Sequence, residues 1–178
     1  QEDLGRIRDA ALKSIQTSTQ TPPDARQALD DVSFRVELLE ALGLPPNADV
    51  HLFRGNAFYA RRDYRRALEC YDRAIELEPR SAQAHINRGM ALGELGEGID
   101  ALSAFDRAIE LDPYNPLAHL DRGITLGRLE RYVEALSAVD HAIKLKPDYA
   151  EAHNVRGAAL INIDRPADAL AAATRALE

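Results

Sequence analysis

A 34-residue period runs through residues 48–178 and constrains the fold more than any other feature of the chain. Its copies follow one another without a gap, and the fourth is incomplete: 48–81, 82–115, 116–149 and 150–178. Histidine stands at the fourth place of every copy, and Arg-Gly stands at the seventh and eighth places. Alanine fills the twentieth and twenty-seventh places, and proline closes each complete copy. A fixed period of this length predicts a stacked array of small units, none of which buries its apolar face alone.

Each copy has the pattern of two helices joined by a turn. In the first copy, Leu52 and Phe58 share one helical face before Asp63 interrupts the run. Apolar residues then recur at spacings of three and four, as on an amphipathic helix, until Pro79 ends it. In two antiparallel helices, the place number rises along one helix as it falls along the other, so the numbers of two facing places add up to a nearly constant value. The eighth place should therefore face the twenty-fourth, and the eleventh place should face the twentieth. Glycine or alanine in each of these pairs lets the two backbones approach closely, which favours a helix–turn–helix unit.

The repeat resembles the tetratricopeptide repeat family, whose 34-residue pattern reads W-x2-L-G-x2-Y…A-x3-F…P. This sequence keeps the glycine, both alanines and the proline, but has His in place of Trp and Arg in place of Leu. The resemblance covers residues 48–178. It implies an all-α fold, a right-handed α-solenoid of about 3.8 recognisable helix–turn–helix repeats, with a concave face that mainly holds other proteins.

Residues 1–47 match the repeat poorly and are predicted to form an N-terminal helical segment. Apolar spacing predicts helices near 3–16 and 25–43. Because Pro45 lies 34 residues before Pro79, the second of these helices also fits the second half of a degenerate repeat. The segment is interpreted either as a cap over the first repeat or as a regulatory segment that folds into the groove of the array.

Composition excludes several classes of function. The chain has 178 residues, of which 46% are hydrophobic, and a net charge of −7 offers no basic field for nucleic acid or anionic lipid. Cys70 is the only cysteine, which excludes a disulfide framework, and no apolar run reaches the roughly 18 residues of a membrane span. We expect a cytoplasmic protein. A removed targeting segment stays an alternative, since the chain begins at Gln1 and stops inside a repeat, as part of a longer protein would.

The histidines that recur in every copy are too far apart to bind metal ions together. Neighbouring helices lie about 8–10 Å apart, whereas two nitrogens on one zinc ion lie within roughly 4 Å of each other, given Zn–N bonds of about 2.0–2.1 Å. No second ligand type repeats with them. We predict that they replace the usual aromatic side chain and pack against the alanine at the twenty-seventh place, and we predict neither a metal nor a cofactor. The histidines are His51, His85, His119 and His153.

The arginine at the seventh place has a predicted structural role. The place numbers seven and twenty-five have the same sum as eight and twenty-four, so the seventh place should face the twenty-fifth. The twenty-fifth place holds aspartate in the first three copies. Thr174 replaces that aspartate in the fourth copy, which predicts Arg156 without an ion-pair partner. A row of arginines that binds anions is the alternative. The predicted ion pairs, each within one repeat, are Arg54–Asp72, Arg88–Asp106 and Arg122–Asp140.

The resemblance implies that partner contacts lie on the first helix of each repeat. Apolar residues at the fifth and ninth places then form an apolar strip rimmed by acids and amides, which fits an amphipathic helix or an apolar peptide laid in a groove. The alternative is that curvature of the array or the N-terminal segment already covers part of this strip. The candidate partner-binding residues are Leu52, Asn56, Tyr59, Ile86, Asn87, Met90, Leu120, Asp121, Ile124 and Asn154.

No motif in the sequence predicts catalysis, because it contains neither a Gly-rich phosphate loop nor a nucleophile elbow. Members of the family that clamp a C-terminal carboxylate use cations, but Leu52, Leu120 and Ile124 stand where those cations belong. We therefore predict a non-catalytic scaffold that binds a peptide or helix in the concave groove, without nucleic acid or membrane insertion. Two alternatives remain: the targeting or substrate-binding arm of a larger enzyme such as a glycosyltransferase, and a self-assembling scaffold that docks through its termini.

Overall fold

The computed structural model describes residues 46–177, which form eight α-helices and no strand. The predicted helices near 3–16 and 25–43 lie outside these residues. Within the described range no helix is both long and apolar enough to cross a membrane. The helices are α1 (Ala48–Ala60), α2 (Tyr64–Leu77), α3 (Ala82–Glu94), α4 (Gly98–Leu111), α5 (Pro116–Arg128), α6 (Tyr132–Leu145), α7 (Ala150–Asn162) and α8 (Pro166–Leu177).

The first helix of every hairpin begins at the first residue of a copy. Side chains just before α1, α3 and α5 accept hydrogen bonds from the unpaired backbone N–H groups of these helices. Asn47 Oδ1 accepts from the N–H of Val50 at 3.0 Å, and Asn115 Oδ1 accepts from that of Leu117 at 3.1 Å. Pro116 occupies the first position of α5, where its missing N–H has no consequence. Local sequence therefore sets where these helices begin.

The turn inside each hairpin requires one residue with a positive φ angle, always at the fifteenth place. Gly96 adopts 82° there, while Arg62, Glu130 and Asp164 adopt 61°, 60° and 58°. The next N–H reaches back over the end of the helix, as from Arg131 to the Leu126 carbonyl at 2.9 Å. Gly96 takes this left-handed conformation without the steric cost of a Cβ atom.

The chain divides into two compact units, Gln1–Glu78 and Pro79–Glu178. The described part of the first unit is the hairpin α1–α2. In the second unit the hairpins α3–α4, α5–α6 and α7–α8 stack in chain order, with α4 against α5 and α6 against α7. The first helices also contact each other, α3 with α5 and α5 with α7. We call the side on which these three helices meet the inner face of the second unit.

Close packing inside the first three hairpins confirms the predicted facing of the eighth and twenty-fourth places. A Cβ atom added to Gly89 would lie 2.6 Å from Cε1 of Phe105, and one added to Gly123 would overlap the Val139 side chain. Tyr71 occupies the equivalent space against Gly55 in the first unit. These glycines are therefore required by the aromatic or branched side chain that lies against each of them.

The core continues from one hairpin to the next in the second unit. Leu126 of α5 packs with Ala135 of α6, as the eleventh and twentieth places were predicted to do. The same cluster contains Leu102 of α4 and Ala159 of α7, so four helices share it. No hairpin of this unit buries its apolar face by itself.

Candidate functional site

Two residues of the predicted apolar strip are part of the core. Ile86 and Leu120, at the fifth place, are 0% exposed. Leu120 packs against Val139 of its own hairpin and Ala152 of the next hairpin. The prediction that these two side chains contact a partner is therefore wrong. The fifth place lies three residues before the close-packed glycine, so both share the helical face that turns toward the second helix.

The other predicted residues of the second unit differ in how much of them a partner can reach. Asn87 is 8% exposed, and its Oδ1 accepts a hydrogen bond from Nε2 of Gln83 at 2.7 Å. Met90 and Ile124, at the ninth place, are partly buried, whereas Asn154 is exposed. The apolar area that remains available is therefore smaller than the sequence pattern predicted.

Charged side chains connect the helices of the inner face. Arg128 of α5 reaches back to α3, where its Nη2 lies 3.3 Å from Oε1 of Glu94 and its Nη1 lies 3.4 Å from the Gly93 carbonyl oxygen. On the other side, the carboxylate of Asp121 on α5 senses the negative charge of Glu151 on α7. We take Asn87, Glu94, Asp121, Arg128 and Glu151 as the residues that define the inner face.

Asp121 is the most unusual group on this face. Its Oδ2 is enclosed and has no hydrogen-bond partner among the described residues. The hydroxyl of Thr125 donates to the Asp121 backbone carbonyl at 2.8 Å and does not reach the carboxylate. Burial, together with the smaller effect of the negative charge of Glu151, raises the pKa of Asp121 to about 7, and the positive charge of Arg128 opposes this change. A carboxylate with one oxygen that has no hydrogen-bond partner among the described residues therefore lies on this face, and it is partly protonated near neutral pH.

The predicted residues of the first unit all lie on α1. The hydroxyl of Tyr71 on α2 donates to Oδ1 of Asn56 at 2.9 Å, and burial raises the pKa of Tyr71, which keeps this donor protonated. The ring of Tyr59 packs edge-on against that of Tyr64 at 5.2 Å. Leu52 is partly buried. The Asn56 side chain is thus bonded to its own hairpin.

In α5 and α7 the arginine at the seventh place pairs with the preceding hairpin. Nε of Arg122 lies 2.6 Å from Oδ1 of Asp106, and Nε of Arg156 lies 2.8 Å from Oδ1 of Asp140. The predicted pair Arg122–Asp140 is therefore wrong, as is the expectation that Arg156 lacks an ion-pair partner, whereas the pair Arg88–Asp106 stays a prediction. The Arg54–Asp72 pair stays a prediction. The Arg54 guanidinium lies 5.8 Å from the Phe58 ring centre, and its Nε has no hydrogen-bond partner in the described part of the chain.

Helix geometry explains this correction. The constant sum of two facing places fixes their height along the hairpin but not the direction of their side chains. The step from the eighth place back to the seventh turns the side-chain direction by about 100° around the first helix. The step from the twenty-fourth place forward to the twenty-fifth turns it by the same angle around the second helix. Because the helices are antiparallel, the two rotations have the same sense when both are viewed along one axis. Because the two facing directions are opposite, the same rotation sends the seventh place to one flank and the twenty-fifth place to the other. Arginine of one hairpin therefore meets aspartate of its neighbour.

The histidines at the fourth place stabilise the connection between hairpins. Nε2 of His85, His119 and His153 lies 3.2, 3.0 and 2.9 Å from the carbonyl oxygen of the proline six residues earlier. The ring N–H donates to a carbonyl near a helix end, which has no partner within the helix. Among residues 46–177 no three His, Cys, Asp or Glu side chains come together as a metal site requires. These hydrogen bonds were not predicted, although the constant spacing from proline to histidine is visible in the sequence.

Comparison with known proteins agrees with this architecture. A family model described as "Tetratricopeptide repeat" matches residues 52–116 and 120–178. No curated protein sequence matches the chain.

Three solved structures illustrate the similarity. "Crystal structure of MamA" is 23% identical, with a TM-score of 0.75, 86% of this chain covered and 91% of that chain. "MamA 41-end from Desulfovibrio magneticus RS-1" is 17% identical, with a TM-score of 0.76, 99% of this chain covered and 94% of that chain. "First TPR of Spaghetti (RPAP3) bound to HSP90 peptide SRMEEVD" is 25% identical, with a TM-score of 0.62, 70% of this chain covered and 94% of that chain. The MamA structures share the fold, and the two segments matched by the family model make up more than half of the sequence. The chain belongs to the tetratricopeptide repeat family.

Proposed function

We propose that the chain is a non-catalytic scaffold that binds a segment of another protein along the first helices of its repeats. Membership of the tetratricopeptide repeat family supports this role, and the RPAP3 repeat structure is itself bound to an HSP90 peptide. Cys70 is a poor candidate for a catalytic nucleophile. Burial raises the pKa of Cys70, so its thiol carries little of the thiolate that a nucleophile needs.

The observation that carries the proposal is the carboxylate of Asp121 on the inner face of the second unit. It has an oxygen without a partner, it lies beside Glu151, and Glu94 already engages the nearby Arg128. Partly buried Ile124 lies one helical turn further along α5. This arrangement fits a segment that places a lysine or arginine beside a small apolar residue. It favours such a segment over the apolar peptide that was one of the two occupants predicted from the sequence, the other being an amphipathic helix.

An acidic peptide should bind poorly to the same face. Leu52, Leu120 and Ile124 stand where carboxylate-clamping members of the family carry cations. Ile124 also lies one helical turn from Asp121, which has the negative charge of Glu151 beside it. We therefore expect the peptide SRMEEVD, which has three acidic residues and one arginine, to bind at least about tenfold more weakly than a peptide of net positive charge selected from an array.

The test is fluorescence polarisation on the full chain, with Asp121→Asn as the variant and Asp148→Asn as the matched control. Asp148 is exposed and lies in the connection before α7. Asp121→Asn should weaken binding of the basic peptide about tenfold, because it removes one charge-assisted contact. Asp148→Asn should change it by less than about twofold. Equal effects of the two variants, or tighter binding of SRMEEVD, would rule out the inner face as a site for basic segments.

Self-association is a second candidate function, favoured by the exposed apolar side chains of α8. Leu170 is 72% exposed, whereas Leu102, at the same place in the repeat, is 7% exposed. Light scattering after size exclusion, over a wide range of concentrations, should then show a mass that rises with concentration. Leu170→Glu should abolish this rise, and Ile99→Glu, at a side chain that is 67% exposed on α4, should leave it unchanged. A mass that stays monomeric throughout excludes this candidate.

A further inference from the structure

A cavity of about 390 Å³ lies between α6, α7 and α8, away from the residues that define the inner face. Its volume is within the range of small-molecule sites. Apolar side chains form part of its wall, from Ile143 of α6 and from Ala171 and Ala172 of α8. The ring of His153 on α7 borders it as well. The protein-binding role proposed above makes no use of this cavity.

The His153 ring offers carbon atoms rather than a free nitrogen to the cavity. Its Nε2–H donates to the Pro147 carbonyl at 2.9 Å, and its Nδ1 is enclosed. A ligand in the cavity therefore contacts this planar ring through its face or its C–H edge. Another flat ring packs well on such a surface, because offset-stacked and edge-to-face rings attract each other beyond the burial of apolar area.

The preceding hairpin of the second unit shows such a ring in place. His119 stands at the same repeat place as His153, and its Nε2 likewise lies 3.0 Å from the carbonyl oxygen of a proline, Pro113. The ring of His141 on α6 stacks on the ring of His119, with 5.6 Å between the ring centres and 17° between the ring planes. In this hairpin the histidine at the fourth place is therefore in contact with a second planar ring.

The last hairpin lacks this second ring. Arg175 stands at the repeat place of His141, and it borders the same cavity as His153 does. The two repeat places that make the ring contact in α5–α6 are thus both on the wall of a cavity in α7–α8. The chain itself supplies the ring in one hairpin and leaves space for it in the next.

A second cavity, of about 460 Å³ beside α4, offers no comparable surface. Its wall contains no aromatic or imidazole ring. Three arginines line it, and each lies within ion-pair distance of a carboxylate. The pairs are Arg107–Glu110 at 2.7 Å, Arg122–Asp106 at 2.6 Å and Arg131–Glu134 at 2.7 Å.

We propose that the cavity between α6, α7 and α8 binds a planar aromatic group of one or two rings. The group stacks on the ring of His153 as His141 stacks on His119, and its far side packs against Ile143 and the alanines of α8. Since ring stacking adds to the burial of apolar area, this site distinguishes a flat ring from a saturated ring of similar size.

The test is titration of the full chain with phenol and with cyclohexanol, followed by NMR. The two probes share a hydroxyl group and a six-membered carbon ring, but only phenol is planar. We expect phenol to bind at least about threefold more tightly than cyclohexanol, and its ring current to shift the ring protons of His153. Equal affinities, phenol binding without a shift at His153, or no saturable binding of phenol overturns the proposal.

Two variants locate the site. Arg175→His introduces the residue found at position 141, whose ring should then occupy the cavity and weaken phenol binding about tenfold or more. Arg107→His makes the same change at the same repeat place of α4, away from this cavity, and should have less than about a twofold effect. Equal weakening by both variants, or undiminished binding to Arg175→His, contradicts the assignment.

Two further probes identify the source of the ring. Indole represents a free aromatic molecule, and N-acetyltryptophanamide represents an aromatic side chain of a protein. Tighter binding of indole assigns the cavity to a small molecule, and tighter binding of N-acetyltryptophanamide assigns it to a side chain. Both assignments require that the His153 ring protons shift and that Arg175→His blocks binding.

Discussion

At the scale of single residues, burial decides the chemistry more than residue type does. Asp121 and Asp106 are both aspartates of the second unit, and both lie near an arginine. Asp106 is paired with Arg122 at 2.6 Å. Asp121 has an enclosed oxygen without a partner, and burial raises its pKa to about 7. Removal of a carboxylate from water disfavours its charged form, and Arg128, engaged by Glu94, compensates for this only in part.

This difference predicts a pH-dependent effect of Asp121→Asn on stability. The folded-state pKa of about 7 lies above the ordinary value of 3.8, so the folded state holds its proton more tightly than the unfolded state does. The stability from this proton is complete below pH 3.8 and is lost progressively as the pH rises toward about 7. Asparagine mimics the protonated form. The variant should match the wild type near pH 4 and exceed its stability above pH 7 by on the order of 1–3 kcal/mol.

Urea unfolding at a series of pH values between about 4 and 8 measures this difference, with Asp148→Asn as the control. The advantage of Asp121→Asn should grow with pH and level off above about pH 7. An advantage that is constant over the whole range, or a loss of stability at high pH, would show that the Asp121 carboxylate is charged and satisfied in the folded state.

At the scale of helices, a few places of the repeat determine the hairpin, because each of them accepts only one backbone conformation or one size of side chain. The fifteenth place needs a positive φ, which the chain accepts even at Arg62, Glu130 and Asp164. The eighth place needs glycine where a large side chain fills the twenty-fourth place. In the fourth copy the twenty-fourth place is Ala173, and a Cβ atom added to Gly157 would meet its nearest neighbour at 3.5 Å. The same glycine therefore has different importance in different copies.

Gly123→Ala and Gly157→Ala should consequently have opposite effects. The added Cβ at residue 123 overlaps the Val139 side chain and lies 3.3 Å from the Ala135 carbonyl oxygen, so we expect a loss of about 1–3 kcal/mol. At residue 157 the added Cβ makes ordinary contacts, and the better helix propensity of alanine should stabilise the protein by about 0.5–1 kcal/mol. Thermal and urea unfolding of both variants test this. A stabilised Gly123→Ala would contradict the close approach of α5 and α6.

At the scale of the whole molecule, ionic and apolar contacts together stack the hairpins of the second unit. The Arg122–Asp106 and Arg156–Asp140 pairs join successive hairpins and so couple them. Their side chains are partly exposed, so each pair contributes modestly and adds alignment more than stability. The larger contribution is apolar, since Leu102 shares one cluster with residues of the two hairpins that follow it.

A double-mutant cycle distinguishes pairing between hairpins from pairing within one hairpin. With Asp106→Asn and Arg122→Gln we expect a coupling energy of about 0.5–1 kcal/mol, because the two groups are 2.6 Å apart and 53% and 28% exposed. The matched cycle of Asp106→Asn with Arg88→Gln should give less than about 0.3 kcal/mol. A larger coupling to Arg88 would restore the pairing predicted from the sequence.

Stacking also predicts that leucine at the twenty-first place contributes differently to stability in α4 and in α8. Leu102→Ala removes a side chain that is 7% exposed and should destabilise the protein by about 2–4 kcal/mol. Leu170→Ala, at the same place in α8 but 72% exposed, should change stability by less than about 0.5 kcal/mol. The shift in the urea midpoint measures both. Similar losses for the two variants would mean that something covers α8 in solution.

The period, the helical hairpins and the glycines that face large side chains were all predictable from the sequence. They depend on interactions within one 34-residue copy, where spacing along the chain translates directly into position on a helix. The partner of Arg122, the burial of Ile86 and Leu120, and the isolation of Asp121 were not predictable in this way. Each depends on the direction of a side chain around its helix and on the neighbouring hairpin that lies there. Sequence spacing determines height along a hairpin, whereas only the stacked structure determines which hairpin a side chain meets.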